Sequence, residues 1–186
     1  MEKNSIIETY NISNTFLNEA EKIITGSNIN FIYDRKTSRG EMTDPNVIDK
    51  GQIIHHLYYD HKAQSEHYEF FRTVFDETKI PVKQMLRMKI NVTFPLIGYR
   101  EYNHQMCHQD INNPEQRPDL RFKSLIVYIN KSDGDTIFFE NNKIVKRIKH
   151  ERGKGILFDS GLTHAGQNPM NSNSRIVLNT IFVSGD

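Results

Sequence analysis

Cys107 is the only cysteine in the 186-residue chain, so no intramolecular disulfide can form and a CxxC zinc or redox motif is excluded. A thiol-poor chain of this kind is expected in a reducing compartment, here the cytoplasm. No stretch approaches the roughly 20 apolar residues that span a bilayer, and the opening MEKNSIIETYNISN lacks the apolar core of a secretory signal. An excess of one charge is missing too. The 24 Lys and Arg are balanced by 23 Asp and Glu, which leaves no strong field to gather nucleic acid or an anionic membrane. Internal repeats, heptads and long low-complexity segments are also absent. What is present is a chain of single-domain size, 37% hydrophobic, long enough to enclose a core around a buried site. Residues 1–186 are therefore expected to form one domain.

Hydrophobic periodicity divides the chain near residue 85. In residues 14–25, Phe16, Leu17, Ala20, Ile23 and Ile24 recur at spacings of three and four, behind Ser13 or Asn14 as cap and before Gly26 as stop. This spacing predicts an amphipathic helix. A second helix is expected over about 62–78, where Tyr68, Phe71, Val74 and Phe75 form a stripe. Residues 34–60, polar at the start and containing Gly, Asp and Pro, read as a surface loop or lid. From residue 85 the period becomes two: Leu86, Met88, Ile90, Val92 and Phe94 alternate with Arg87, Lys89, Asn91 and Thr93, the pattern of a strand with one buried face. Further strands are expected at 124–130, 136–140, 144–148, 155–158 and 175–183, separated by turn-like segments such as Ser132–Asp135 and Glu140–Asn142. The fold class is α+β, with a helical part at about 1–84 and an antiparallel sandwich or barrel at about 85–186.

Within the strand-rich part, Cys107-His108-Gln109-Asp110 places an imidazole and a carboxylate two residues apart, and in extended chain both point to one side. His-x-Asp alone is a weak signal. It gains weight from His164, 54 residues after Asp110 and just beyond an apolar strand, and from Arg175, 11 residues later at the start of another. Two histidines and one carboxylate on one face of an ion leave three positions open, the arrangement of non-haem Fe(II) oxygenases. A planar guanidinium such as Arg175 can hold the far carboxylate of a dicarboxylate co-substrate bidentately.

The ordered set HQD, VYIN, GDTIFF, LFDSGLTHAGQNP and SRIVLNTIFV resembles the Fe(II)/2-oxoglutarate oxygenases, and within them the prolyl hydroxylase-like branch, over residues 86–183. The resemblance implies a double-stranded β-helix, or jelly roll, with supporting N-terminal helices. It implies Fe(II) held by His108, Asp110 and His164, with 2-oxoglutarate and O2 as co-substrates. Arg175 would pair with the distal carboxylate, with Tyr128 hydrogen-bonding it and Asn179, on the same strand face as Arg175, assisting. Arg121 matches an arginine near the substrate, and a tyrosine expected upstream of His108, also on the substrate side, is Tyr99 or Tyr102. The reaction implied is hydroxylation of a C–H bond, of a prolyl residue in a peptide or protein or of a small molecule, with release of succinate and CO2. The sequence departs from the branch at Asp135, where relatives carry a second glycine, and at Phe94, which lacks the hydroxyl of a tyrosine expected upstream of His108.

Other constellations compete. His104 and His108 have the spacing of a helical zinc pair, but the Glu of HExxH is missing. His55, His56, His61 and His67 read as exposed polar residues or part of a flap. Cys107 reads as a buried structural thiol, because neighbouring side chains in a strand point to opposite faces. Ser160 lacks the G-x-S-x-G context of a nucleophile. A noncatalytic metal-binding jelly roll of cupin type explains the histidines and the carboxylate, but leaves Arg175 without a purpose.

Overall fold

The structure is a computed structural model and describes residues 7–36 and 44–185. In chain order the elements are β1 (Glu8–Asn11), α1 (Asn14–Thr25), β2 (Ile32–Asp34), β3 (Gln52–Tyr59), β4 (Lys62–Ala63), α2 (Tyr68–Arg72), α3 (Val74–Thr78), β5 (Val82–Thr93), a 3-10 turn (Pro114–Gln116), β6 (Phe122–Tyr128), β7 (Thr136–Glu140), β8 (Lys143–Ile148), β9 (Lys154–Asp159), β10 (His164–Gly166) and β11 (Arg175–Ser184). No helix among the described residues is long and apolar enough to cross a membrane.

Helix α1 forms where the spacing predicts it. The Ser13 hydroxyl accepts from the Phe16 amide, and Phe16, Leu17, Ala20 and Ile24 are buried. The second helix is interrupted. Its apolar stripe is helical only as two single turns, α2 and α3, joined at Thr73, because β4 takes up the start of the segment and pairs with β3. The stretch expected to be a loop contains β3, an eight-residue strand. The N-terminal part is therefore less helical than expected, contributing four strands to the sheet on which its helices pack. Residues 37–43 of the expected lid lie outside the described residues.

Strand pairing is antiparallel throughout. The major sheet runs β1-β9-β6-β11-β5-β3-β2, with β4 on β3, and the minor sheet runs β10-β7-β8. The β7–β8 hairpin closes through Asn141 and Asn142, whose φ angles of 49° and 60° are those of the primed turns that match strand twist.

Side-chain alternation sorts the major sheet into two faces. Met88, Ile90 and Val92 of β5, Leu125 and Val127 of β6, and Leu178 and Phe182 of β11 join the helices in one apolar core. The alternate residues Ile126, Tyr128, Ile156, Phe158 and Val177 meet Phe138 and Ile148 of the minor sheet in a second, smaller core. The expectation of one buried face for β5 needs correction. Lys89 and Thr93 are only 9% and 2% exposed, because their face turns into the space between the sheets. That enclosed face carries the polar residues described next.

Candidate metal centre

His108, Asp110 and His164 come together, their nearest nitrogen and oxygen atoms all within 4.8 Å of one another. His108 lies outside the regular strands and is placed by a single antiparallel bridge to His164, each amide donating to the other's carbonyl at 2.9 Å. His164 itself begins β10. Asp110 stands in the bend that follows His108. The HQD segment is thus an isolated bridge and bend, extended enough to put His108 and Asp110 on one side.

The donor atoms are oriented from behind. Nδ1 of His108 meets the Met106 carbonyl at 3.2 Å, and Nδ1 of His164 meets that of Leu162 at 2.9 Å. As N–H donors there, both rings leave Nε2 as the free lone pair. Those Nε2 atoms lie 4.0 Å and 3.7 Å from the Asp110 carboxylate oxygens. Asp110 accepts from Arg87 Nη2 at 2.9 Å and from the Ser124 hydroxyl at 2.7 Å. Burial alone would raise the Asp110 carboxyl, but the neighbouring His164, Arg87 and His108 and the Ser124 bond hold it below the usual range. Burial, with His164 beside it, pulls His108 down to about 4, so its imidazole is neutral and ligand-ready near pH 7. Two imidazoles and a buried carboxylate form a donor set that fits a divalent transition metal on one face.

Arg175 opens β11 next to Thr93 of β5. Its Nε donates to the Gly134 carbonyl at 2.8 Å and its Nη2 to the Thr136 hydroxyl at 3.0 Å. A Cβ at Gly134 would stand 2.8 Å from the Arg175 Cδ and 2.5 Å from the Gln167 carbonyl, and one at Gly166 would crowd Nη1 at 3.2 Å and the Gln105 amide oxygen at 2.9 Å. Both glycines therefore make room for the guanidinium. Burial draws Arg175 below its usual value, yet a guanidinium stays charged. Among the described residues no carboxylate lies within ion-pair distance of it, so a buried cation stands in a polar cradle without an anion.

Tyr128 is fully buried and donates to the same Thr136 hydroxyl at 2.8 Å. Thr136 thus accepts from both Tyr128 and Arg175, leaving its own proton to donate elsewhere. The Tyr128 ring stacks on His150 at 4.4 Å, and Arg175 Cζ lies 6.0 Å from the Tyr128 ring centroid. Burial pushes Tyr128 up to about 12, and burial with Arg175 nearby pulls His150 down to about 3.

The remaining expected residues are dispersed. The Asn179 amide oxygen faces Arg87 Nη2 at 3.4 Å and makes no bond to Arg175. Tyr99 is buried, its hydroxyl accepting from the Asn168 amide at 3.1 Å, whereas Tyr102 is 59% exposed and Arg121 is exposed. Phe94 is 47% exposed. His104 is buried against Phe139 and Asp44 and lies outside the triad. Cys107 packs with Ile137, Phe139 and Ala165, and burial raises its thiol to about 12, as expected of a structural thiol. Of the histidines expected on the surface, His55 and His56 instead lie half-buried on β3. Sequence reasoning missed Arg87, Ser124, Thr136 and His150. The one signal for Arg87 was its place in the polar half of the β5 alternation, which reads equally well as a solvated face.

Comparison with known proteins fits this geometry. Residues 94–183 match the sequence profile of the 2OG-Fe(II) oxygenase superfamily. No curated protein matches the chain. Among solved structures, an oxidoreductase of the 2OG-Fe(II) oxygenase family from Burkholderia pseudomallei superposes with a TM-score of 0.61 at 11% identity, over 89% of this chain and 78% of that one. A Pseudomonas putida prolyl-4-hydroxylase gives 0.57 at 14% identity, over 97% and 93%. A non-heme alpha-ketoglutarate-dependent carbocyclase from nogalamycin biosynthesis gives 0.60 at 9% identity, over 99% and 81%. The two-sheet architecture is that of these neighbours, the double-stranded β-helix.

Proposed function

We propose that the chain, whose residues 94–183 match the profile of the 2OG-Fe(II) oxygenase superfamily, is an oxygenase of that kind using Fe(II), 2-oxoglutarate and O2, in which His108, Asp110 and His164 hold the iron and Arg175 anchors 2-oxoglutarate. The observation that carries the assignment is the convergence of the three donor groups within 4.8 Å, with both Nδ1 atoms already engaged by backbone carbonyls. The bound metal, with O2 and 2-oxoglutarate, supplies the oxidising power to hydroxylate a C–H bond with release of succinate and CO2.

The chain's own residues bind, orient and exclude. Arg87 and Ser124 fix the Asp110 carboxylate and keep it ionised, so its oxygens face the imidazoles without competing protons. Arg175 meets one carboxylate of the co-substrate from its cradle, and Thr136, whose hydroxyl accepts from both Arg175 and Tyr128, offers its proton to the same group. Tyr128 and His150 wall this pocket with stacked rings, keeping it dry and the charge pairing strong. Asn179 steadies Arg87 and through it Asp110, a different task from direct contact with the co-substrate.

The substrate we propose is a prolyl residue in a peptide or protein. Support comes from the order of motifs and from the Pseudomonas putida prolyl-4-hydroxylase, which overlaps nearly the whole of both chains. A small-molecule substrate is the second reading, favoured by the similar overlap with the carbocyclase. The single buried cysteine is consistent with work in the cytoplasm. The test is anaerobic titration of Fe(II)-loaded protein with 2-oxoglutarate, watched for the weak visible charge-transfer band of bidentate chelation. A band in the wild type, weakened in Arg175→Ala, is expected. Iron binding without any band would point to a noncatalytic metal-binding jelly roll.

A further inference from the structure

The inward face of β5 carries a second buried cation, away from Arg175. Lys89 is 9% exposed, and among the described residues its ammonium makes no hydrogen bond and no ion pair. Strand register sets its surroundings: Lys89 lies opposite Asn179 of β11 on one side and His56 of β3 on the other. It shares its face with Arg87, two residues back, which bonds Asp110. Lys89 therefore looks into the same enclosed space as the triad.

Unpartnered atoms gather around it. His56 Nδ1, Arg87 Nε, Asn91 Oδ1 and Thr93 Oγ1 are all buried without a hydrogen-bond partner, though the Asn91 amide nitrogen is engaged with Gln52 at 2.7 Å. Native interiors leave few such groups, and a row of them along one strand face marks a place where a ligand completes the bonding. Thr93 stands beside Arg175, but Lys89 lies four residues farther along the strand, about 13 Å away. An anion held at Lys89 is therefore not the carboxylate held at Arg175.

We propose that Lys89 binds a small anionic group, a carboxylate or a phosphate, of the substrate that is oxidised, and that Asn91 Oδ1 accepts a neighbouring N–H or O–H of the same molecule. A neutral ligand would leave the ammonium without a counter-charge, whereas an anion gives it a charge-assisted hydrogen bond. Burial and the adjacent Arg87 draw Lys89 down to about 8 against the opposing pull of Asp110 and Asp34, neither of which is ion-paired with it. The inference rests on the reading of this face as the catalytic site and narrows its substrate. Within the prolyl reading, it favours a proline whose own carboxylate is free over one in the interior of a peptide.

The test is calorimetric titration of the full chain, loaded with Mn(II) and 2-oxoglutarate without oxygen, with L-proline, L-prolinamide and inorganic phosphate. L-Proline or phosphate should bind the wild type and bind Lys89→Met about ten- to hundredfold more weakly, with Lys89→Arg retaining most of the affinity. Which of the two anions binds distinguishes carboxylate from phosphate. Binding of phosphate in a Lys89-dependent manner, with neither proline compound bound, upholds the anion site and removes the prolyl reading. Equal binding of L-proline and L-prolinamide, unaffected by Lys89→Met, overturns the anion site and leaves the prolyl reading standing. Absence of binding by either anion also overturns it, as does an equal loss of 2-oxoglutarate affinity in Lys89→Met, which would assign Lys89 to the co-substrate. Melting curves and circular dichroism of both variants establish that each is folded.

Discussion

The two faces of the major sheet are both enclosed, yet their chemistry is opposite. On the helix side Met88, Ile90, Leu178 and Phe182 are at 0% exposure in an apolar core, where polar groups are sparse and the Thr180 hydroxyl, between Leu178 and Phe182, is buried without a partner. On the inner side Lys89, Thr93, Arg175 and Asn179 are nearly as buried, and several polar atoms beside them have no partner. Burial alone therefore does not identify a core. The first face holds the molecule together through apolar burial, while the second tolerates groups that oppose folding and become useful when iron, co-substrate and substrate arrive.

The most severe way to break this contrast is to remove a donor of the triad. His108→Ala, Asp110→Ala and His164→Ala should each abolish coupled 2-oxoglutarate turnover and cost Fe(II) affinity beyond the roughly ten- to hundredfold typical of losing an outer partner, while leaving the melting temperature of the metal-free protein little lowered. Full activity in any of the three would remove that residue from the centre. The apolar face should behave in reverse. Phe71 is wholly buried, edge-on to Phe16 and Phe70 at 6.1 Å and 5.1 Å, and Phe71→Ala should cost about 3–5 kcal/mol of stability, read from the denaturant midpoint. At temperatures where the variant stays folded, its Fe(II) affinity should be unchanged. A fall in both would mean that the two faces are coupled through the sheet.

The same contrast explains which features could be read from the sequence. Helix α1 was legible with its cap, its buried stripe and its stop at Gly26, because capping and 3.6-residue periodicity are local. Strands β6, β7, β8, β9 and β11 were legible from short apolar runs between turn residues, and the triad and Arg175 from their order along the chain. Strand β3 was not. QIIHHLYY sits among polar and turn-forming residues, and its strand character depends on pairing with β5, about 35 residues distant in sequence. The polar half of β5 was misassigned for a related reason. Alternation reveals that a strand has two different faces, but whether the polar one meets water or an enclosed site depends on a second sheet that arrives later in the chain. The short α2 and α3 were read as one helix because their stripe continues through Thr73, where the backbone turns instead.

Lys89 sharpens the comparison as a function of pH. Burial and Arg87 lower its ammonium from 10.5 to about 8 in the folded protein, so between those values the unfolded chain holds a proton that the folded chain has released. Stability contributed by this group therefore rises with pH across that window. Below about pH 8 the folded protein bears the full penalty of the buried charge, and above about 10.5 the penalty is gone. Lys89→Met removes the charge at every pH, so it should be more stable than the wild type near pH 7 by up to about 3 kcal/mol, and the difference should close as pH rises to 10.5. Urea denaturation of both proteins at pH 7, 9 and 10.5 measures it. A constant difference would mean that the ammonium is better solvated than its burial implies.

The smallest effect expected concerns Ser124, which lies on the inner face of β6 with Ile126 and Tyr128, against Asp110 of the proposed iron site. Its hydroxyl donates to Asp110 at 2.7 Å and lies 2.9 Å from that of Ser160. With the Ser124 proton committed to the carboxylate, Ser160 must be the donor in the second bond, so a two-hydroxyl relay ends on Asp110. Ser160 is tied in turn to the loop carrying Asp110, its carbonyl accepting from the Ile111 amide at 3.1 Å. Ser124→Ala should thus free one carboxylate oxygen to rotate and strand the Ser160 hydroxyl, weakening Fe(II) binding about tenfold to a hundredfold with the ligands themselves intact. Ser160→Ala leaves the bond to Asp110 in place and should weaken it less. Direct competition titrations of Fe(II) against a chelator resolve the two. An equal loss in both variants would show that the hydroxyls act by packing alone, whereas a graded loss places the orientation of Asp110 in the Ser124 hydrogen bond.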